Sequence, residues 1–147
     1  MRKLIYLLPF AVMALSSCMK SNNDSTPIPV PTGTFSGTFR VVHYNRTTQK
    51  TDTSKISNLV LNISQTTGYK VTGDTVLYHA GSYGDFALNG SYIQFVDKTI
   101  PTNTSATLPK IHLAGLYQYG YDGTNFQFQA VFADTLAYQY LLKKTAN

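Results

Sequence analysis

The sequence predicts an all-β protein, a single antiparallel meander of about eight strands rolled into a small barrel or half-barrel. A two-sheet β-sandwich would use the same strands. Three observations carry this expectation. The 147 residues hold seven acids, all Asp, together with eleven Tyr and eight Phe, and such a composition suits a pleated, half-buried surface better than a helix. Apolar and polar residues alternate from Thr34 onward. Turn signals, above all Asn89-Gly90 and Asp122-Gly123, interrupt the alternation at short intervals.

Taken in order, the first strand sets Phe35, Gly37, Phe39, Val41 and His43 on one face, with Ser36, Thr38, Arg40 and Val42 opposite. The polar run from Asn45 to Lys55 reads as a long hairpin loop. Leu59, Leu61 and Ile63 then alternate with Asn58, Val60 and Asn62. Thr67-Gly68 turns into Tyr69 to Thr72, and Gly73-Asp74 turns into a further strand, Val76 to His79. Phe86 to Leu88 and Ser91 to Val96 flank Asn89-Gly90 as a hairpin. A loop from Asp97 to Pro109 leads to a strand from Ile111 to Tyr121, with Leu113, Tyr117, Tyr119 and Tyr121 on one face. Asp122-Gly123 turns into Phe126, Phe128, Ala130 and Phe132, set against Gln127, Gln129 and Val131. Asp134-Thr135 turns into Leu136, Tyr138, Tyr140 and Leu142. This hairpin-by-hairpin order favours a barrel, whose interior at eight strands takes side chains or one small ligand.

Ahead of the domain lie two segments of other character. Residues 1–17 begin with Arg2 and Lys3, continue as an apolar run from Leu4 to Leu15, and end in Ser16-Ser17 before Cys18. That is the layout of a secretory signal, and the run is too short to span a bilayer. Residues 18–33 pass from small polar residues into Pro27, Pro29 and Pro31. Alternate prolines favour an extended polyproline II tether, reaching up to ~45 Å over fifteen residues. The β-domain is then expected over residues 34–144.

Leu15-Ser16-Ser17-Cys18 resembles the lipobox of bacterial lipoproteins. The resemblance implies cleavage before Cys18, acylation of its thiol and permanent membrane residence through that anchor. Met19 stands where Asp would signal retention at the inner membrane, so the outer membrane is the implied location. Within the domain, Gly33-Thr34-Phe35, Gly37-Thr38-Phe39 and the stretch Leu113 to Gly123 are similar to the small lipocalin-like lipoprotein domains of bacteria. Lipocalins open with Gly-x-Trp, the Trp closing the barrel base. This chain has no Trp, and the resemblance implies that Phe35 or Phe39 takes that place.

Several functions find no support in the residues. Without residues 1–17, which take Arg2 and Lys3 with them, ten cations face seven acids, a net +3 without a dense cluster. No nucleic-acid partner is expected from so thin a charge. A single Cys excludes a disulfide scaffold, and His43, His79 and His112 lie too far apart to pair as metal ligands on one strand, so neither metal nor cofactor is expected. Asp74, Asp122 and Asp134 sit in turn positions, leaving Asp52, Asp85 and Asp97 as acids without a visible partner. His79, Ser82 and Asp85 fall close together, but the elbow pattern Gly-x-Ser-x-Gly is absent, and no catalytic residue is assigned. A hydrolase would need two ionisable side chains within ~3 Å in a cleft.

The aromatic and amide inventory is the remaining lead. Tyr117, Tyr119, Tyr138 and Tyr140 lie in the last strands near Gln118, Gln127, Gln129 and Gln139. Most of these tyrosines read as barrel core. A subset — Tyr117, Tyr119, Gln127, Gln129, Tyr138 and Tyr140 — is the candidate binding face for a glycan, a small apolar ligand or an envelope protein. The functional expectation is a lipid-anchored, non-enzymatic binding or interaction module of the bacterial outer membrane. A structural or accessory subunit of an envelope complex is the alternative.

Overall fold

A computed structural model describes residues 29–101, 109–133 and 135–146. The signal segment, Cys18, the tether through residue 28, residues 102–108 of the long loop and Asp134 lie outside the described residues. Eight strands follow in order: β1 Gly33–Asn45, β2 Lys50–Ser64, β3 Gly68–Gly73, β4 Tyr83–Asn89, β5 Tyr92–Asp97, β6 Gly115–Tyr121, β7 Asn125–Phe132 and β8 Leu136–Ala146. Each pairs antiparallel with the next, and β8 returns to β1 from Thr34–Ala146 through His43–Leu136. The meander therefore closes, and neither a half-barrel nor a sandwich describes it. Among the described residues there is no helix.

The period-two pattern explains the closure. Phe35, Phe39 and Val41 of β1 are buried, as are Leu59, Leu61 and Ile63 of β2 and Phe126 and Phe128 of β7. Their alternate neighbours face outward. Phe35, one of the two residues in the place of a lipocalin Trp, is fully buried against Tyr121 and Phe126, with ring centroids 5.6 and 5.3 Å away. Phe39 is equally buried and packs on Tyr140 and His79.

Four stretches differ from the sequence expectation, each for a physical reason. The expected loop from Asn45 to Lys55 is mostly strand, because the Asn45 Oδ1 accepts from the backbone N–H of Thr47 and Thr48 and turns the chain at once. β2 then starts at Lys50 as a ribbon extending beyond the barrel, exposed on both faces from Lys50 to Thr53. The expected strand from Val76 to His79 is irregular: Val76, Leu77 and Tyr78 are exposed, and only His79 pairs, in a parallel bridge with Ile111. The expected strand from Ile111 begins only at Gly115, whose φ of 101° breaks the extended run. Pro31 belongs to the packed domain rather than to a free tether, for it is fully buried.

One close approach sets the barrel's shape. Gly68, at φ 77°, and Gly84 let β3 and β4 meet: a Cβ on Gly68 would lie 2.0 Å from the Gly84 carbonyl oxygen. Only glycine fits there. The turns after β2, β4 and β6 share one end of the barrel with the chain's entry into β1, here termed the entry end. The connection 74–82 and residues 109–114 lie at the far end, where Ala80 donates to the Ile111 carbonyl at 2.9 Å and Ile111 to that of Tyr78.

Candidate functional site

The barrel interior is filled. Phe95, Tyr117, Phe128 and Tyr140 make a continuous aromatic stack, with Phe128 and Tyr140 parallel at 4.4 Å and Tyr117 edge-on to both. Pairs of this kind contribute ~0.5–1.5 kcal/mol each beyond the area they bury. Burial raises the ionisation points of the Tyr69, Tyr117 and Tyr140 hydroxyls, and these groups are satisfied inside the protein. Tyr69 donates to the Leu113 carbonyl. Tyr140 meets His79 Nε2 at 2.8 Å, while His79 Nδ1 lies 2.6 Å from the Ala80 carbonyl. A carbonyl only accepts, so Nδ1 carries the proton, and Nε2 accepts from Tyr140. Desolvation lowers the His79 pKa from 6.5 to about 4, keeping the ring neutral in this apolar setting.

The six candidate binding residues consequently divide. Tyr117 and Tyr140 are core, 1% exposed each. Tyr119 and Tyr138 are half-buried, packed against Phe126 in the one case and against Phe39 and Phe132 in the other. Gln127 and Gln129 face outward between the buried Phe126, Phe128 and Ala130. Strand alternation turns the tyrosine and glutamine side chains to opposite sides of the wall, yet Tyr119 and Tyr140 border the same outer depression as Gln127 and Gln129.

The outer wall holds an arrangement of its own. Gln118, Gln129, Gln139 and Arg40 lie directly opposite one another across β6, β7, β8 and β1. Arg40 Nε donates to Gln139 Oε1 at 2.9 Å, and Gln139 Nε2 donates to Gln129 Oε1 at 3.1 Å. In the neighbouring row Gly120 stands opposite Gln127, and no atom lies within 4 Å of where its Cβ would be. The missing side chain opens a depression of about 460 Å³, bordered by Arg40, Gln118, Gln127, Gln129 and Gln139. The four glutamines stand out in the sequence by type, whereas Arg40 has no local signal beyond its place on the outer face of β1. Arg40 and Gln139 are 99 residues apart, and only barrel closure joins them.

A second polar cluster lies at the far end. His112 Nδ1 sits 2.8 Å from Asp97 Oδ2, and Thr99 donates to Asp97 Oδ1 through both its hydroxyl, at 2.6 Å, and its backbone N–H, at 2.7 Å. Burial opposes ionisation of Asp97, but hydrogen bonds from Thr99, Ser82 and His112 outweigh it and hold the carboxyl below its ordinary range. Two ionisable groups are thus within 3 Å. Acyl transfer also requires a nucleophile on the imidazole's other nitrogen. Ser82 instead bonds Asp97 and accepts from the Leu113 N–H at 3.2 Å, and Thr99 also lies on the carboxylate side. This geometry clasps three segments together.

The other acids are placed as follows. Asp85 pairs with Lys98 at 2.8 Å. Asp122 accepts from Asn125 and Thr124 and is pushed down to about 2, the Asn125 side-chain bond being the largest cause. No group of three His, Cys, Asp or Glu with metal-binding proximity occurs among the described residues. Along the outer wall of the first four strands Thr34, Asn62, Lys70 and Tyr83 form another row, beside a groove of about 940 Å³. Compared with known proteins, the chain matches no family profile, no curated protein and no solved structure.

Proposed function

We propose that this chain is a bacterial outer-membrane lipoprotein, anchored through acylated Cys18, whose lipocalin-like barrel is a non-enzymatic binding module that takes a glycan on its outer wall. The signal layout and the lipobox resemblance support the anchor. The packed aromatic interior argues against a ligand inside. The observation that carries the binding reading is the directed row Arg40–Gln139–Gln129 beside the Gly120 depression. Sugar hydroxyls both donate and accept, primary amides supply both kinds of partner, and a guanidinium adds donors of fixed geometry.

Two measurements test it. Intact-mass analysis of protein from a bacterial membrane fraction should show residues 1–17 removed and acyl chains on the new N-terminus. A bare thiol there defeats the anchor. Titration with neutral and acidic oligosaccharides, followed by the side-chain amide resonances of Gln118, Gln127, Gln129 and Gln139, should shift those signals. Unmoved amides across the whole series defeat the glycan reading.

A second reading, an accessory subunit of an envelope complex, is favoured by one observation. Val76, Leu77 and Tyr78 are consecutive and 74, 64 and 40% exposed at the far end. Crosslinking from Leu77 in intact cells should then capture one discrete larger partner.

A further inference from the structure

Beside the chain's entry into β1 lies the larger of the two grooves described above, about 940 Å³. Its lining combines Lys70, Lys98 and Lys144 with Asn62, Ser64 and Thr67. Three elements build it. The outer row Thr34–Asn62–Lys70–Tyr83 supplies one wall, with the Thr34 hydroxyl donating to Asn62 Oδ1 at 2.7 Å. The turn from Ser64 to Gly68 supplies the rim, and Ile63, Tyr69 and the close approach of Gly68 and Gly84 complete the lining. Lys98 is paired with Asp85, whereas Lys70 and Lys144 have no ion-pair partner among the described residues.

We infer that this groove binds a phosphate-bearing headgroup, that of a membrane lipid or of its soluble equivalent. Two unpaired ammonium groups and several hydroxyl and amide donors converge on one concavity, and no acid is among the described residues that line it. That is the chemistry of a phosphate diester rather than of a cation or a neutral sugar. The position favours a lipid source. The chain enters the domain at Thr32 and Gly33, which border the groove, and Pro31 is buried immediately before them. The N-terminal segment therefore joins the barrel beside the groove. The inference is independent of the amide row, with which the groove shares no lining residue.

The test uses residues 18–147, which hold every strand of the closed barrel, with Cys18→Ser so that no acyl chain drives partition. Vesicles of phosphatidylcholine containing about one third phosphatidylglycerol are compared with pure phosphatidylcholine vesicles by co-sedimentation, and glycerol phosphate is titrated in solution by NMR. Binding to the mixed vesicles alone supports a lipid headgroup. Shifts at Thr67 and Lys70 with glycerol phosphate support the soluble form of the same chemistry. In either case Lys70→Gln and Lys144→Gln each weaken binding about fivefold, while Lys50→Gln, an equal loss of charge at the far end, changes it less than about twofold. Equal losses for Lys50→Gln and Lys70→Gln would mean that net charge alone is read, and would overturn the site. So would no binding to either probe.

Discussion

The Tyr140 hydroxyl donates to His79 Nε2 at 2.8 Å in the middle of the barrel, and neither side chain is more than 1% exposed. His79 reaches this position from the irregular connection between β3 and β4. The bond therefore ties a non-strand segment to the last strand, across the aromatic stack.

Stability should fall as the pH drops from about 6.5 to about 4. The His79 pKa is lowered by burial to about 4 in the fold, so between those values the unfolded chain binds a proton that the native state refuses. The contribution is complete above the unfolded pKa and is lost progressively below it, by about 3 kcal/mol at most. Urea unfolding from pH 4 to 8 should show this slope, and His79→Gln should flatten it. An unchanged slope in the variant would assign the effect elsewhere.

Tyr140→Phe keeps the ring stack but leaves His79 Nε2 buried without its donor. The expected loss is about 1–3 kcal/mol in urea unfolding. Tyr119→Phe, at a half-buried ring with no hydroxyl partner among the described residues, should cost less than half as much.

Ser57 is 1% exposed, and its hydroxyl has no hydrogen-bond partner among the described residues. Ser57→Ala removes an unpaired buried polar group and should raise stability by about 0.5–2 kcal/mol. A destabilised variant would show that the hydroxyl is satisfied.

Gly120→Val narrows the outer depression, and its Cβ meets no atom within 4 Å. Valine suits a strand. The melting temperature should stay within a few degrees of wild type, while glycan-induced shifts at Gln127 and Gln129 fall at least about tenfold. Full retention of those shifts would separate the depression from binding.

Much of the barrel was legible from parity alone. Phe35, Phe39, Phe126 and Phe128 alternate with polar neighbours because one face of each strand is buried, and the structure keeps all four inside. Legibility ended where that constraint ended. The start of β2 projects past the barrel, so Lys50 to Thr53 have no core to face and carry no apolar signal. Val76 to Tyr78 are apolar without being buried, which imitates a strand. The same boundary applies to the candidate sites. Parity sets Gln127 and Gln129 against Phe126 and Phe128, yet residue type alone groups them with the inward tyrosines, and nothing local announces that Arg40 meets Gln139 or that Asp97 meets His112. Those contacts depend on which strands close and which connections fold back.

The pairing of β1 with β8 also dictates an order of events. The first strand waits for a partner whose residues are about a hundred positions downstream, so a nascent chain holds an open, curling sheet until β8 is synthesised. Local hairpins can form early, but loop-closure entropy delays the seam. Loss of β8 would leave two unzipped edges, those of β1 and β7, and a template for aggregation.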